Sequence, residues 1–254
     1  MLFDTHAHYD DDQFDGDRET LLASLPEQGV GLVVNPGCTV ASSRTAVELA
    51  RRFPHVYAAV GIHPENCGDF RPEDLDAIRA LAREDKVVAI GEIGLDYYWP
   101  ENPPRPLQQQ VLRSQLALAR ELSLPVIIHD RDAHADTMAI VREFPGLRGV
   151  FHCFAGSVEM ARELVDMGWY LSFNGAATFK NARKAPEVIA AVPLERIMVE
   201  TDAPYMAPTP FRGKRCDSRY VYRMAETIAE IKGLTPAEVE QATTENGKAL
   251  FAIP

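Results

Sequence analysis

The sequence predicts an α/β protein, a single-domain (β/α)8 TIM barrel with an extra C-terminal helix. Three observations lead there. Eight short apolar, β-branched runs recur along the chain, and stretches with helical spacing separate nearly all of them. Eight such units in one uninterrupted chain are the number that closes a barrel. The alternative, an open doubly wound sheet, lacks its usual signature: no Gly-x-Gly-x-x-Gly or Gly-x-x-x-x-Gly-Lys-Ser/Thr loop follows any run.

Strands are predicted at 2–6, 32–36, 56–61, 87–90, 126–129, 149–152, 170–173 and 197–200. Among the helices between them, Leu75, Ile78, Leu81 and Ala82 mark one, with Pro72, Glu73 and Asp74 as its first turn. Val111, Leu112, Gln115, Leu116, Ala119 and Leu122 mark a second. Met160, Leu164 and Val165 mark another, and Val221, Met224, Ala225, Ile228 and Ile231 one more. Thr235-Pro236-Ala237-Glu238 is a capping box with proline at the first helical position, so 235–251 reads as the extra helix. Residues 1–254 show no linker, repeat or low-complexity tract, and one domain is expected.

Composition narrows the function. The chain is 46% hydrophobic and 25% charged, and no apolar run is long enough to span a membrane. Asp4 and His6 interrupt the N-terminus before an apolar signal segment can form. Cys38, Cys67, Cys153 and Cys216 are far apart, which points to reduced thiols and a cytoplasmic location. The formal net charge is −11, whereas a surface that coats duplex DNA is normally basic. A phosphate-bearing substrate must therefore be met by a local positive site.

The polar residues supply the chemistry. His6 and His8 stand one residue apart at the end of the first run, and alternation along a strand sends both side chains to one face. Alone, the pair is either a metal grip or a polar strand end. His63 follows the third run, Glu92 the fourth and Asp202 the eighth, while His129 and His152 close the fifth and sixth. Only His55 and His134 lie away from predicted strand ends. In a barrel all these ends meet on one rim, where active sites sit. Four imidazoles and two carboxylates exceed the needs of one tetrahedral ion and suit two divalent cations sharing a carboxylate.

These residues lie in segments that resemble the TatD-type metal-dependent deoxyribonucleases, a branch of the amidohydrolase-like barrels. The matching stretches are Asp-Thr-His-Ala-His (4–8), Gly-Ile-His-Pro (61–64), Gly-Glu-Ile-Gly-Leu-Asp-Tyr-Tyr (91–98), the run 115–129, His-Cys-Phe (152–154) and Glu-Thr-Asp-Ala-Pro-Tyr (200–205). The resemblance covers essentially the whole chain. It implies a hydrolase acting on DNA, with His6, His8, Glu92, His129, His152 and Asp202 as ligands of two divalent cations (Mg, Mn or Zn). It makes Glu92 the bridging carboxylate. Asp202, within reach of the attacking water, doubles as a general base, so Asp202 and Glu92 are the catalytic candidates.

Around this core several residues carry two readings. His63 is either a phosphate contact or a supporting residue. Glu200 either orients a ligand from behind or forms a surface salt bridge. Arg131, Arg212 and Lys214 are candidate substrate contacts, the last two in the loop Phe211-Arg-Gly-Lys-Arg-Cys-Asp-Ser-Arg219, which otherwise reads as solvated. There the chain departs from the commoner family pattern, with Cys216-Asp217-Ser218 in place of Asn-x-Pro. Tyr97, Tyr98 and Trp99 either stack on an unpaired base or cap the barrel. The expected substrate is single-stranded or frayed DNA, trimmed by a 3'-5' exonuclease-like activity, with no membrane or obligate protein partner. The alternative is a barrel hydrolase of another bond: an amide, a lactone or a D-aminoacyl-tRNA ester.

Overall fold

A computed structural model describes all 254 residues. Eight parallel strands run in sequence order around one sheet. They are β1 (Leu2–Asp4), β2 (Val30–Pro36), β3 (Val56–Val60), β4 (Val87–Asp96), β5 (Val126–Arg131), β6 (Gly149–Phe151), β7 (Tyr170–Phe173) and β8 (Ile197–Val199). The helices are α1 (Arg18–Ser24), α2 (Val40–Arg52), α3 (Pro72–Leu81), α4 (Arg105–Leu122) and α5 (His134–Arg142). The remainder are α6 (Val158–Asp166), α7 (Lys184–Ala191), α8 (Tyr222–Lys232) and α9 (Pro236–Phe251). The predicted helices coincide with these to within a residue at their ends, Ala82 and Val221 being cap positions, and the predicted capping box at Thr235 and Glu238 starts α9.

The sheet closes between the chain just past β1 and just past β8. Thr5 N–H donates to Val199 O at 3.2 Å, Asp202 N–H to His6 O at 2.9 Å and His8 N–H to Ala203 O at 2.7 Å. Behind this seam Thr201 donates to the buried Asp4 carboxylate twice, from its amide at 2.9 Å and its hydroxyl at 2.6 Å. Burial pushes the Asp4 carboxyl up to about 7, even against those hydrogen bonds.

Two apolar clusters fill the structure. The larger lies between barrel and helices, and the smaller is built from Phe3, Val34, Ala59, Ala89, Ile127, Val150 and Met198 with Leu250, Phe251 and Ile253. Those last residues show what α9 does: it packs its end against the strand starts. The rings of Phe3 and Phe251 lie 6.1 Å apart, and Asn246 Nδ2 donates to Leu194 O and Ile197 O where β8 begins. A Cβ on Gly247 would sit 2.7 Å from the Phe3 ring, so α9 lies against β1 only because that position lacks a side chain. The opposite end of the barrel, where the strands finish, is left open for polar groups.

Two strand predictions are corrected here: β1 ends at Asp4, so His6 and His8 lie just beyond it on the segment that seals against the chain past β8. Strand β4 is longer than 87–90 and carries Glu92 within it. Gly91 and Gly94 break the apolar pattern of the sequence, but both are needed for close strand packing. A Cβ on Gly94 would collide with the His129 carbonyl oxygen, and one on Gly91 would lie 2.7 Å from Ile127 Cβ.

Candidate metal centre

Glu92 is the hub of the open end. It is buried, and its two oxygens face two groups of imidazoles. Oε2 lies 3.2 Å from His6 Nε2 and 3.4 Å from His8 Nε2. Oε1 lies 2.7 Å from His152 Nε2 and 2.9 Å from His129 Nδ1. Within each group the rings point nitrogen at nitrogen, 3.1 Å apart for His6 and His8 and 3.2 Å for His129 and His152. Asp202 Oδ1 is 3.8 Å from His6 Nε2 and 3.7 Å from His8 Nε2. All six predicted ligands thus converge, and Arg131 lines the same cavity of about 640 Å³ with five of them.

Electrostatics follow from crowding imidazoles around one carboxylate. Burial opposes ionisation of Glu92, but His152, His63 and His6 outweigh it and hold its carboxyl well below the usual range. Burial, with His152 nearby, lowers His6 to about 4, so its ring is neutral and keeps a lone pair at neutral pH. Burial raises Asp202 to about 6 against the pull of His152 and His8. Asp202 also holds a φ of 59°, and Cys153, next to His152, one of 45°. Non-glycine residues take that left-handed conformation at a cost of order 1–3 kcal/mol, and it clusters at functional sites.

The donor set fits divalent cations. Facing pairs of imidazole nitrogens about a shared carboxylate present converging lone pairs that cannot all satisfy one another. Triplets His6–His8–Glu92, His6–His152–Asp202 and His63–Glu92–His129 each gather ligand atoms within 4.8 Å of one another.

Residues outside the six hold them in place. Asp96 Oδ2 is 3.0 Å from His129 Nε2, which turns Nδ1 of that ring toward Glu92. Glu200 is buried, not on the surface; its Oε1 accepts the Cys153 amide at 2.7 Å and lies 3.4 Å from His152 Nδ1. Two buried glutamines of α4 pin the strand ends. Gln115 bonds both backbone groups of Ile62, beside His63, and Gln108 bonds both of Asp96.

His63 sits inside the centre, its Nε2 3.4 Å from Glu92 Oε1. Its Nδ1 accepts the Glu65 amide at 3.2 Å, and burial with His129 nearby lowers the ring to about 4. A neutral ring whose Nδ1 accepts carries its proton on Nε2, so Nε2 faces the site as a donor.

The cationic loop is divided. Arg215 is tied to Asp17 at 2.6 Å and Arg219 to Asp217 at 2.8 Å. Arg212 and Lys214 line a neighbouring cavity of about 430 Å³ that shares Tyr205 and Met206 with the metal cavity. The Cys216-Asp217-Ser218 departure is structural: Asp217 caps the turn 218–220 and Ser218 bonds the Tyr9 hydroxyl at 2.8 Å. Tyr98 and Trp99 are exposed, and the Arg131 guanidinium lies 3.9 Å from the Tyr98 ring centre.

Comparison with known proteins agrees with this geometry. Residues 3–252 match the family described as TatD related DNase. The chain belongs to the TatD family. An uncharacterized metal-dependent hydrolase of Bacillus subtilis, YabD, is 46% identical over 100% of both chains. The 3'-5' ssDNA/RNA exonuclease TatD of Salmonella typhimurium is 32% identical over 99% of both. The crystal structure of the TatD homologue YJJV from Escherichia coli K12 superposes with a TM-score of 0.93 at 33% identity, covering 100% of this chain and 98% of that one. The chain is accordingly a TatD-family metal-dependent hydrolase. Sequence reasoning missed Asp96, although alternation along β4 sets Glu92, Gly94 and Asp96 on one face.

Proposed function

We propose that this TatD-family hydrolase is a deoxyribonuclease, 3'-5' exonuclease-like, that cleaves phosphodiesters at single-stranded or frayed DNA ends, with residues 1–254 serving as one catalytic unit. The observation that carries the reading is Glu92 set between two imidazole groups beneath an open cavity that also presents Arg131. His6, His8 and Glu92, with Asp202, would hold one divalent cation, and His129, His152 and Glu92 a second. When bound, such a pair lowers the pKa of water and neutralises charge on both the attacking and leaving oxygens.

This chain's own residues do the rest. Asp202, ionised above about 6, accepts the proton of the attacking water. His63 donates from Nε2 to a non-bridging phosphate oxygen, and Arg131 meets the phosphate charge. Asp96 and Glu200 keep a proton on the far nitrogen of His129 and His152, leaving lone pairs toward the site. Arg212 and Lys214 hold the strand farther out. The name of the Salmonella relative supports the substrate class.

The test is cleavage of an end-labelled single-stranded oligonucleotide with Mg²⁺, Mn²⁺ or Zn²⁺ added in turn. Shortening that a chelator abolishes is expected. If the protein spares DNA with every cation but cleaves a lactone, an amide or a D-aminoacyl ester, the deoxyribonuclease reading is wrong and the other-bond reading replaces it.

A further inference from the structure

Beside the metal cavity a second one of about 480 Å³ opens between the segments that follow β6 and β7. Its walls are largely apolar, with Phe154, Phe173 and Phe179 among them, and it begins at Cys153, the neighbour of His152. Asn174 in its lining is 2% exposed; its Oδ1 accepts the Ala176 amide at 3.0 Å, while its Nδ2 is buried with no partner. The volume falls within the range of small-ligand sites.

Several cations gather at this cavity. Arg183 and Lys184, both exposed in the lining, have no carboxylate within ion-pair distance, and neither has the adjacent Lys180. Arg212, likewise without a carboxylate, lies over the Phe179 ring at 4.1 Å. In a chain of net charge −11, unpaired cations gathered around an apolar slot suit a ligand that is flat and apolar in one part and anionic in the next. A nucleotide has that form, because every base offers a π-face and every linkage a phosphate.

We propose that the cavity takes an unstacked nucleobase of the strand whose phosphodiester lies at the metal centre. Phe179 supplies the stacking face, Asn174 a donor to a base carbonyl or ring nitrogen, and Arg183 and Lys184 the contacts to flanking phosphate. The proposal rests on the nuclease reading and names the part of the substrate that the neighbouring cavity recognises.

The experiment compares two single-stranded oligonucleotides, one natural and one carrying abasic residues at its last two 3' positions. Each is given to wild type, Phe179→Ala and Ala182→Trp, the last to fill the cavity from its wall. Stacking of a base on an aromatic ring is worth about 1–3 kcal/mol, so wild type is expected to favour the natural strand in kcat/KM by roughly tenfold or more. In both variants that ratio is expected to fall toward one. Because the ratio is taken within each protein, a partly misfolded variant does not distort it. An unchanged ratio, or equal loss on both strands, overturns the base site alone. Wild type that cuts neither strand refutes the nuclease reading, and the base site falls with it.

Discussion

The two ends of this barrel are made by the same eight strands and bury opposite kinds of groups. At the start of the strands, Phe3, Ala89, Ile127, Val150 and Met198 meet Leu250, Phe251 and Ile253 of the C-terminal segment in an apolar plug. At their finish, His6, Glu92, Asp96, His152 and Glu200 are buried. Burying apolar surface stabilises, whereas burying carboxylates and imidazoles costs free energy unless something compensates them. The plug therefore serves folding, and the polar end spends stability on binding. Substitutions at the two ends should separate by their effect on activity.

The largest expected effect is at the polar end. Glu92→Gln keeps the shape but removes the charge shared by both imidazole groups, and hydrolysis should fall about a thousandfold or more, given the several kcal/mol that divalent cations supply. Activity should be read well below the thermal transition, because an ionised Glu92 among its imidazoles also stabilises the cation-free fold and the variant should unfold at a lower temperature. If the variant hydrolysed as fast as wild type, Glu92 would not be the hub of the centre. The matching change at the plug is Phe251→Ala, which should cost about 3–5 kcal/mol of stability in a denaturant titration. Its kcat/KM, measured well below the transition, should stay at the wild-type value; a selective loss of activity would erase the division between the ends.

Residues one layer back should give intermediate effects. Glu200→Gln keeps a hydrogen-bonding group near His152 Nδ1 but removes the charge, and outer partners of this type are worth about 10–100-fold in metal affinity or activity. A salt-bridge role without connection to the centre would leave cation affinity, read by calorimetry, untouched.

Proton competition comes next in size. A carboxyl raised to about 6 must lose its proton to bind a cation, so the Asp202 share of the rise in affinity with pH should level off above about 6 while the raised imidazoles carry the rise further. Below that point affinity should fall about tenfold per pH unit from this group alone. His6 and His63, lowered to about 4, stay neutral throughout that range. His129, held up at about 8 against its burial by Asp96 and Glu92, must also shed its proton and adds to the slope. So do His8 and His152, both raised well above the usual range with Glu92 among the causes. In Asp202→Asn the Asp202 part of the slope should vanish; a profile identical to wild type would assign the proton elsewhere.

How much of this was legible in the sequence depends on whether a feature is written locally. Strand runs, the α9 capping box and the convergence of histidines and carboxylates from strand ends each carry their signal within a few residues, and each was readable. Asp4 with Thr201, Gln115 with Ile62 and Glu200 with His152 are pairs separated by 197, 53 and 48 positions, so nothing beside either member announces the partner. The length of β4 was hidden because glycines required for strand contact look like strand breakers. In the 211–219 loop the four cations are equivalent as letters, and only the fold shows Asp17 and Asp217 neutralising two of them.

The smallest predicted effect concerns Arg131, which lies outside both the plug and the ligand cluster. Its guanidinium is exposed and rests on Tyr98 and Trp99, at 3.9 and 5.4 Å from their ring centres, so the planar group is held over the cavity without a carboxylate partner. If it meets one phosphate of a single strand, Arg131→Gln should lower kcat/KM only severalfold. The slope of its logarithm against log salt should become shallower by about 0.7, the value for one released counterion on single-stranded nucleic acid. A structural loss would instead lower the rate equally at every salt concentration. Parallel salt profiles for variant and wild type would remove Arg131 from the substrate path and leave the metal centre unaltered.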